Sequence, residues 1–108
     1  MNTTTQTDMT VANTILAQLG GNRFMVMTGS KQPMGDASSL TIKIGRGAKD
    51  GINCLKVTLD ASDTYTMTFY KLGRAPSFKV ETVKELDGIY GDSLQDIFTS
   101  VTGMYTHL

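Results

Sequence analysis

The sequence predicts an α+β domain, in which an antiparallel sheet of about five strands carries an N-terminal and a C-terminal helix packed on one face. Three observations predict this fold class. Apolar and polar residues alternate between Leu40 and Phe69, which is the period of half-buried strands. The connections between these strands are too short for crossover helices, so the strands must run antiparallel. Both ends of the chain also carry apolar residues at helical spacing.

The chain of 108 residues has the length of one domain. Residues 1–8 are polar and rich in threonine, which predicts a flexible leader, and residues 9–108 form the single α+β domain. Thr10 is placed to cap a first helix, which Gly20 and Gly21 end. The apolar face of this helix consists of Ala12, Ile15, Leu16 and Leu19. A strand over Phe24–Thr28 and a loop over Gly29–Ser39 are predicted to follow.

The sheet is predicted mainly from the middle of the chain. Apolar residues occupy every second position over residues 40–44, 55–59 and 65–70, and Phe78–Val83 is predicted as a fifth strand. The connections are the glycine-rich segment Gly45–Gly51 and turns at Asp60–Asp63 and Gly73–Ser77.

A second helix is predicted near the C-terminus. Asp92 and Gln95 have the spacing of a capping box, and Gly103 is placed to end the helix in a left-handed conformation. The apolar stripe consists of Leu94, Ile97, Phe98 and Val101.

Several chemistries are excluded by residue counts. Cys54 is the only cysteine, which excludes an internal disulfide and fits a reducing cytoplasm. His107 is the only histidine, so the sequence contains neither a His/Cys metal cluster nor a Cys–His or Ser–His nucleophile pair. The glycines of Gly45–Gly51 lack the Gly-Lys-Ser/Thr ending of a phosphate loop and join two strands. We therefore expect no enzymatic activity, no cofactor and no metal. The chain also lacks an apolar run that could span a membrane and a signal-peptide pattern.

Charge is balanced overall but unevenly distributed. Ten basic residues stand against ten acidic ones, yet residues 1–80 carry a net charge of +4 and residues 81–108 a net charge of −4. This asymmetry is typical either of a basic binding surface beside an acidic helix or of charges that simply coat solvent-exposed faces.

Two helices can cover only one face of a five-stranded sheet, so the other face is expected to be open and polar. The residues predicted on it are Thr41, Lys43, Lys56, Thr58, Thr66, Thr68 and Tyr70. Lysines among threonines, with one aromatic ring, can bind a single nucleic-acid strand through phosphate contacts and base stacking. The predicted binding residues are Lys43, Arg46, Lys49, Lys56, Tyr70, Lys71 and Arg74. The same pattern also suits a solvated sheet face, since threonine favours strands and lysine keeps them soluble.

Several segments carry a resemblance to known proteins. They are Gln18–Phe24, Met27–Gly29, the hairpin Gly51–Phe69, Leu94–Thr99 and Thr102–Thr106. Over about residues 11–108 the chain resembles a group of small proteins encoded by bacteriophages, prophages and other mobile elements. The resemblance implies a small accessory protein of a phage or mobile element in the cytoplasm of the bacterial host cell. Such a protein would either bind nucleic acid or bind and inhibit a host protein, as anti-CRISPR proteins do. It implies no active-site residue, and a second copy of the chain remains open as a partner.

Overall fold

The computed structural model describes residues 10–45, 47–73 and 79–104. The predicted leader over residues 1–8 lies outside them. Within these ranges the helices are α1 (Thr10–Leu19), α2 (Gly21–Thr28) and α3 (Leu94–Thr102). The strands in the same ranges are β1 (Lys31–Gly35), β2 (Ser39–Lys43), β3 (Cys54–Leu59), β4 (Tyr65–Leu72) and β5 (Val80–Ile89). Short 3-10 turns at Lys49–Gly51 and Gly91–Ser93 precede β3 and α3.

The strands form one sheet in the order β1-β2-β3-β4-β5, with every neighbouring pair antiparallel. Each strand therefore pairs with the strand next to it in sequence, as the short connections require. The predicted α+β fold with a five-stranded antiparallel sheet is confirmed.

The helices lie on one face of this sheet. Ile15 and Leu19 of α1 are completely buried in the same core as Leu55 and Phe69 of the sheet. The ring centroids of Phe24 in α2 and Phe98 in α3 lie 5.0 Å apart in an edge-to-face arrangement. The Phe98 centroid is 6.3 Å from that of Phe69 in β4. Phe98 thus joins α2 and α3 to the sheet, and the predicted packing of the N-terminal and C-terminal helices on one face is confirmed.

The strand predicted over Phe24–Thr28 is wrong, because this segment is the helix α2. Phe24 and Thr28 are buried, whereas Val26 between them is 75% exposed. A strand would place all three on one face, so this pattern fits one helical turn. The Thr28 hydroxyl donates to the Phe24 carbonyl at 2.7 Å. Gly29 ends the helix with a φ of 64°, in the left-handed region that glycine reaches without a steric penalty.

The loop predicted over Gly29–Ser39 is also wrong, since it contains the edge strand β1. Pro33 is tolerated there because it lies where the pairing with β2 shifts register, between Lys31 and Met34. A proline cannot donate to a neighbouring strand, so edge positions and bulges are where sheets accept it.

The fifth strand is longer than predicted. It runs to Ile89, six residues beyond Val83, and Phe78 lies outside the described residues, as does most of the turn predicted over Gly73–Ser77. Two shifts of register mark bulges in its pairing with β4. Gly88, with a φ of 66°, lies in one of these irregularities and provides the positive φ that such bulges use.

The predicted capping box of the last helix is wrong. Asp92 lies in the preceding 3-10 turn, and Ser93 occupies the N-cap position without a side-chain capping bond. The Gln95 amide instead donates to the Leu19 carbonyl at 2.9 Å and so joins α3 to the end of α1. At the other end, Gly103 adopts a φ of 77° and its N–H donates to the Thr99 carbonyl, as predicted for the terminating glycine.

Candidate nucleic-acid interface

The face of the sheet opposite the helices carries a row of registered side chains across all five strands. Lys31 pairs with Lys43, Lys43 with Cys54, Cys54 with Tyr70, and Tyr70 with Thr82. Directly opposed residues of antiparallel strands project to the same side, so Lys31, Lys43 and Tyr70 share one face. Neighbouring strands are about 4.8 Å apart, which places the two lysines within reach of a single ligand strand.

A second row lies two residues along each central strand. It consists of Met34, Thr41, Lys56, Thr68 and Glu85. Lys56 is exposed at the centre of the face, whereas Glu85 accepts a hydrogen bond from the Thr68 hydroxyl at 3.0 Å on its β5 side. The face is therefore basic over β1, β2 and β3 and acidic at β5.

Tyr70 and Cys54 are directly opposed residues of β4 and β3 on this face. Cys54 is only 3% exposed although it belongs to the polar side of β3. Desolvation raises the pKa of the Cys54 thiol above its ordinary value of 9.0, and it also raises the pKa of the Tyr70 phenol above 10.0. Both groups are consequently neutral at physiological pH. The Tyr70 ring is half-buried on the face.

The turn between β1 and β2 positions an anionic neighbour for Lys56. The backbone N–H of Ser38 donates to Asp36 Oδ1 at 2.9 Å. This bond, with further hydrogen bonds from Ser39 and the charge of Lys56, lowers the pKa of the Asp36 carboxyl. Asp36 therefore stays ionised at neutral pH and reduces the positive potential at one end of the face.

The structure does not bring all predicted binding residues together. Lys71 follows Tyr70 in β4, so its side chain lies on the helix-bearing side of the sheet. There it lies against Gly51. Lys49 lies against Gly103 at the C-terminal end of α3, where a cation interacts favourably with the helix dipole. Arg46 and Arg74 lie outside the described residues. Lys43, Lys56 and Tyr70 are the predicted residues that share the open face.

The first glycine of the segment Gly45–Gly51 lies at a close contact between two backbone segments. The Gly45 N–H donates to the Thr28 carbonyl at 3.0 Å, and a β-carbon on Gly45 would lie 2.7 Å from that same oxygen. Only glycine allows the end of α2 and the end of β2 to approach so closely.

Lys31 was missed by the sequence reasoning because Pro33 and Gly35 predict a loop around it. The available signal was the turn composition Gly35–Ser38, which lies directly before a strand and is typical of a hairpin. Recognising that hairpin would have added β1 to the sheet and Lys31 to the face.

Within residues 10–45, 47–73 and 79–104, no three His, Cys, Asp or Glu side chains are grouped so as to hold a metal ion. None of the helices described is long and apolar enough to cross a membrane. Comparison of the chain with protein-family models, with curated proteins and with solved structures finds no significant match to any of them. The geometry of the open face is therefore the basis of the functional proposal.

Proposed function

We propose that this protein is a non-enzymatic module that binds a single nucleic-acid strand through the open face of its sheet. The observation that carries the proposal is the registered row in which Lys31 and Lys43 lie on the same side as Tyr70, with Lys56 two residues further along β3. Lysines on neighbouring strands can contact successive phosphates, while the aromatic ring offers a surface on which one base stacks. Such a role fits the accessory proteins of phages and mobile elements that the sequence resembles.

The size of the face sets the expected strength of binding. Three lysines that each neutralise one phosphate predict a slope of about −2 for log K against log salt, since single strands give about −0.7 per contact. Glu85 and Asp36 border the face and oppose binding by a second stretch of phosphates. We therefore expect modest affinity that is measurable at low salt.

The proposal is tested by fluorescence anisotropy with a labelled single-stranded oligonucleotide at several salt concentrations. Lys43→Ala and Lys56→Ala should each weaken binding and reduce the salt slope by about 0.7. Tyr70→Ala should weaken binding by about 1–3 kcal/mol with little change in the slope, because stacking does not release counterions.

Two matched controls separate binding from folding. Lys71→Ala removes the same charge one residue from Tyr70 but on the other side of the sheet, so it should leave binding unchanged. Tyr70→Phe keeps the ring and loses only the hydroxyl group, so it should retain stacking. Absence of binding at low salt by the folded chain, or equal effects of Lys71→Ala and Lys43→Ala, would refute the proposal.

A further inference from the structure

The outer edge of β5 is a second surface with the features of a binding site. This strand spans Val80–Ile89 and, among the residues that the structure describes, pairs with β4 alone. An edge strand presents unpaired N–H and C=O groups that can pair with a further strand. The opposite edge, β1, is half as long and is interrupted by Pro33.

A groove of about 600 Å³ lies beside this edge, between β5 and α3. Its apolar lining consists of the half-buried Val83, Leu86, Ile97 and Val101, and its polar lining of Lys49, Asp50, Lys84 and Ser100. A strand added to a sheet edge directs alternate side chains to each face, so every second side chain of an added strand would lie over this groove. The edge thus offers backbone hydrogen bonds, and the groove offers burial for apolar side chains.

The charge of β5 favours a basic occupant. On the open face β5 exposes Glu85, and Asp87 is exposed beside it at a bulge. Glu81 lies on the helix-bearing side, opposite Lys71. Opposite charges on directly opposed residues of neighbouring strands stabilise their pairing. A lysine or arginine side chain opposite Glu85 would form an ion pair with this carboxylate, which accepts one hydrogen bond from Thr68.

A second copy of the chain is a poor occupant of the same edge. In an antiparallel pair of two β5 strands, a residue on the twofold axis lies opposite its own copy. A pair centred on Lys84 or Glu85, in the middle of the strand, sets that charge against the same charge. Self-pairing about the middle of β5 therefore opposes like charges.

We propose that β5 and the adjacent groove bind an extended, basic segment of a partner protein by β-strand addition. The segment adds a sixth strand to the sheet, directs apolar side chains into the groove and directs lysine or arginine toward Glu85 on the open face. This site shares no lysine with the proposed nucleic-acid interface. A negative result for one of the two binding proposals therefore leaves the other unaffected.

The probe is a fluorescein-labelled peptide of alternating lysine and valine, which has the required charge on one side and apolar groups on the other. We expect saturable binding to the full chain, and no binding of the matched peptide with glutamate in place of lysine. Glu85→Lys should weaken binding by about fivefold. Asp96→Lys, the same change of charge at an exposed position on α3, should leave binding unchanged.

Peptides N-methylated at alternate residues test strand addition directly. One set of N–H groups faces β5 and the other faces solvent, so one methylated peptide should lose binding and the other should retain it. The proposal is overturned by absence of saturable binding, by equal effects of the two N-methylated peptides, or by equal effects of Glu85→Lys and Asp96→Lys. Sedimentation showing a dimer that Glu85→Lys dissociates would overturn it in favour of self-association.

Discussion

Truncation of Phe98 to alanine should remove a large part of the free energy of unfolding. The side chain is completely buried and contacts Phe24 from α2 and Phe69 from β4, so its loss opens a cavity where two helices meet the sheet. Buried aromatic truncations cost about 3–5 kcal/mol, against a total stability of about 5–15 kcal/mol for a domain of this size. The melting temperature should fall by about 15 °C, at about 4 °C per kcal/mol.

Urea denaturation followed by circular dichroism measures this cost, and two variants serve as controls. Phe98→Leu keeps most of the volume and should cost less than about 1.5 kcal/mol. Val26→Ala truncates a side chain that is 75% exposed on α2 and should change stability by less than about 0.5 kcal/mol. A cycle with Phe24→Leu and Phe98→Leu should give a coupling of about 0.5–1.5 kcal/mol for the edge-to-face pair. A Phe98→Ala variant as stable as the wild type would refute the docking of α3 on the sheet.

Four further predictions concern individual side chains and the pH dependence of stability. Gly45→Ala should lower the melting temperature strongly, because its β-carbon would lie 2.7 Å from a backbone oxygen that cannot move alone; a stability equal to wild type would contradict the close approach of α2 and β2. Asn53→Ala should cost about 1–3 kcal/mol in urea denaturation, since the Asn53 amide both donates to the Leu72 carbonyl at 3.0 Å and accepts from the Leu72 N–H at 2.8 Å. A stability equal to that of the wild type would contradict these two bonds. Cys54 should react with a thiol reagent only as fast as the protein unfolds, because it is buried and its pKa is raised. Rapid thiol labelling of the folded chain would contradict this burial. Because the pKa values of Cys54 and Tyr70 are raised in the folded chain, the unfolded chain loses these protons at lower pH. The free energy of unfolding, measured by urea denaturation, should therefore fall as the pH rises above about 9, and should fall less steeply in Cys54→Ala.

The central strands were predictable because their signal is local. A period of two in β2, β3 and β4 assigns each side chain to one face of the sheet whatever the strands pack against, so the shared face of Lys43 and Lys56 follows from the sequence. The C-terminal helix was predictable for the same reason, since Leu94, Ile97 and Phe98 form an apolar stripe without reference to any partner.

Segments with weak or mixed local signals were decided by packing. The run Phe24–Thr28 suits either a strand or a helix by composition, and the helix is selected because it buries Phe24 against Phe98, a residue distant in sequence. The capping pattern of Asp92 and Gln95 gave way to the contact of Gln95 with the end of α1. Local propensities amount to fractions of a kcal/mol per residue, whereas burial of one aromatic side chain contributes several times as much.

The candidate site divides in the same way. The period of two is enough to place Lys56 and Tyr70 on the polar side of their own strands. Lys31 lies on the same face because β1 pairs with β2. Lys49 does not lie on this face because its side chain lies against Gly103. Both are contacts between chain segments that no local pattern encodes. Side-chain phase is a property of a single strand, whereas membership of a surface depends on which segments meet, and that is settled only when the hydrophobic core forms.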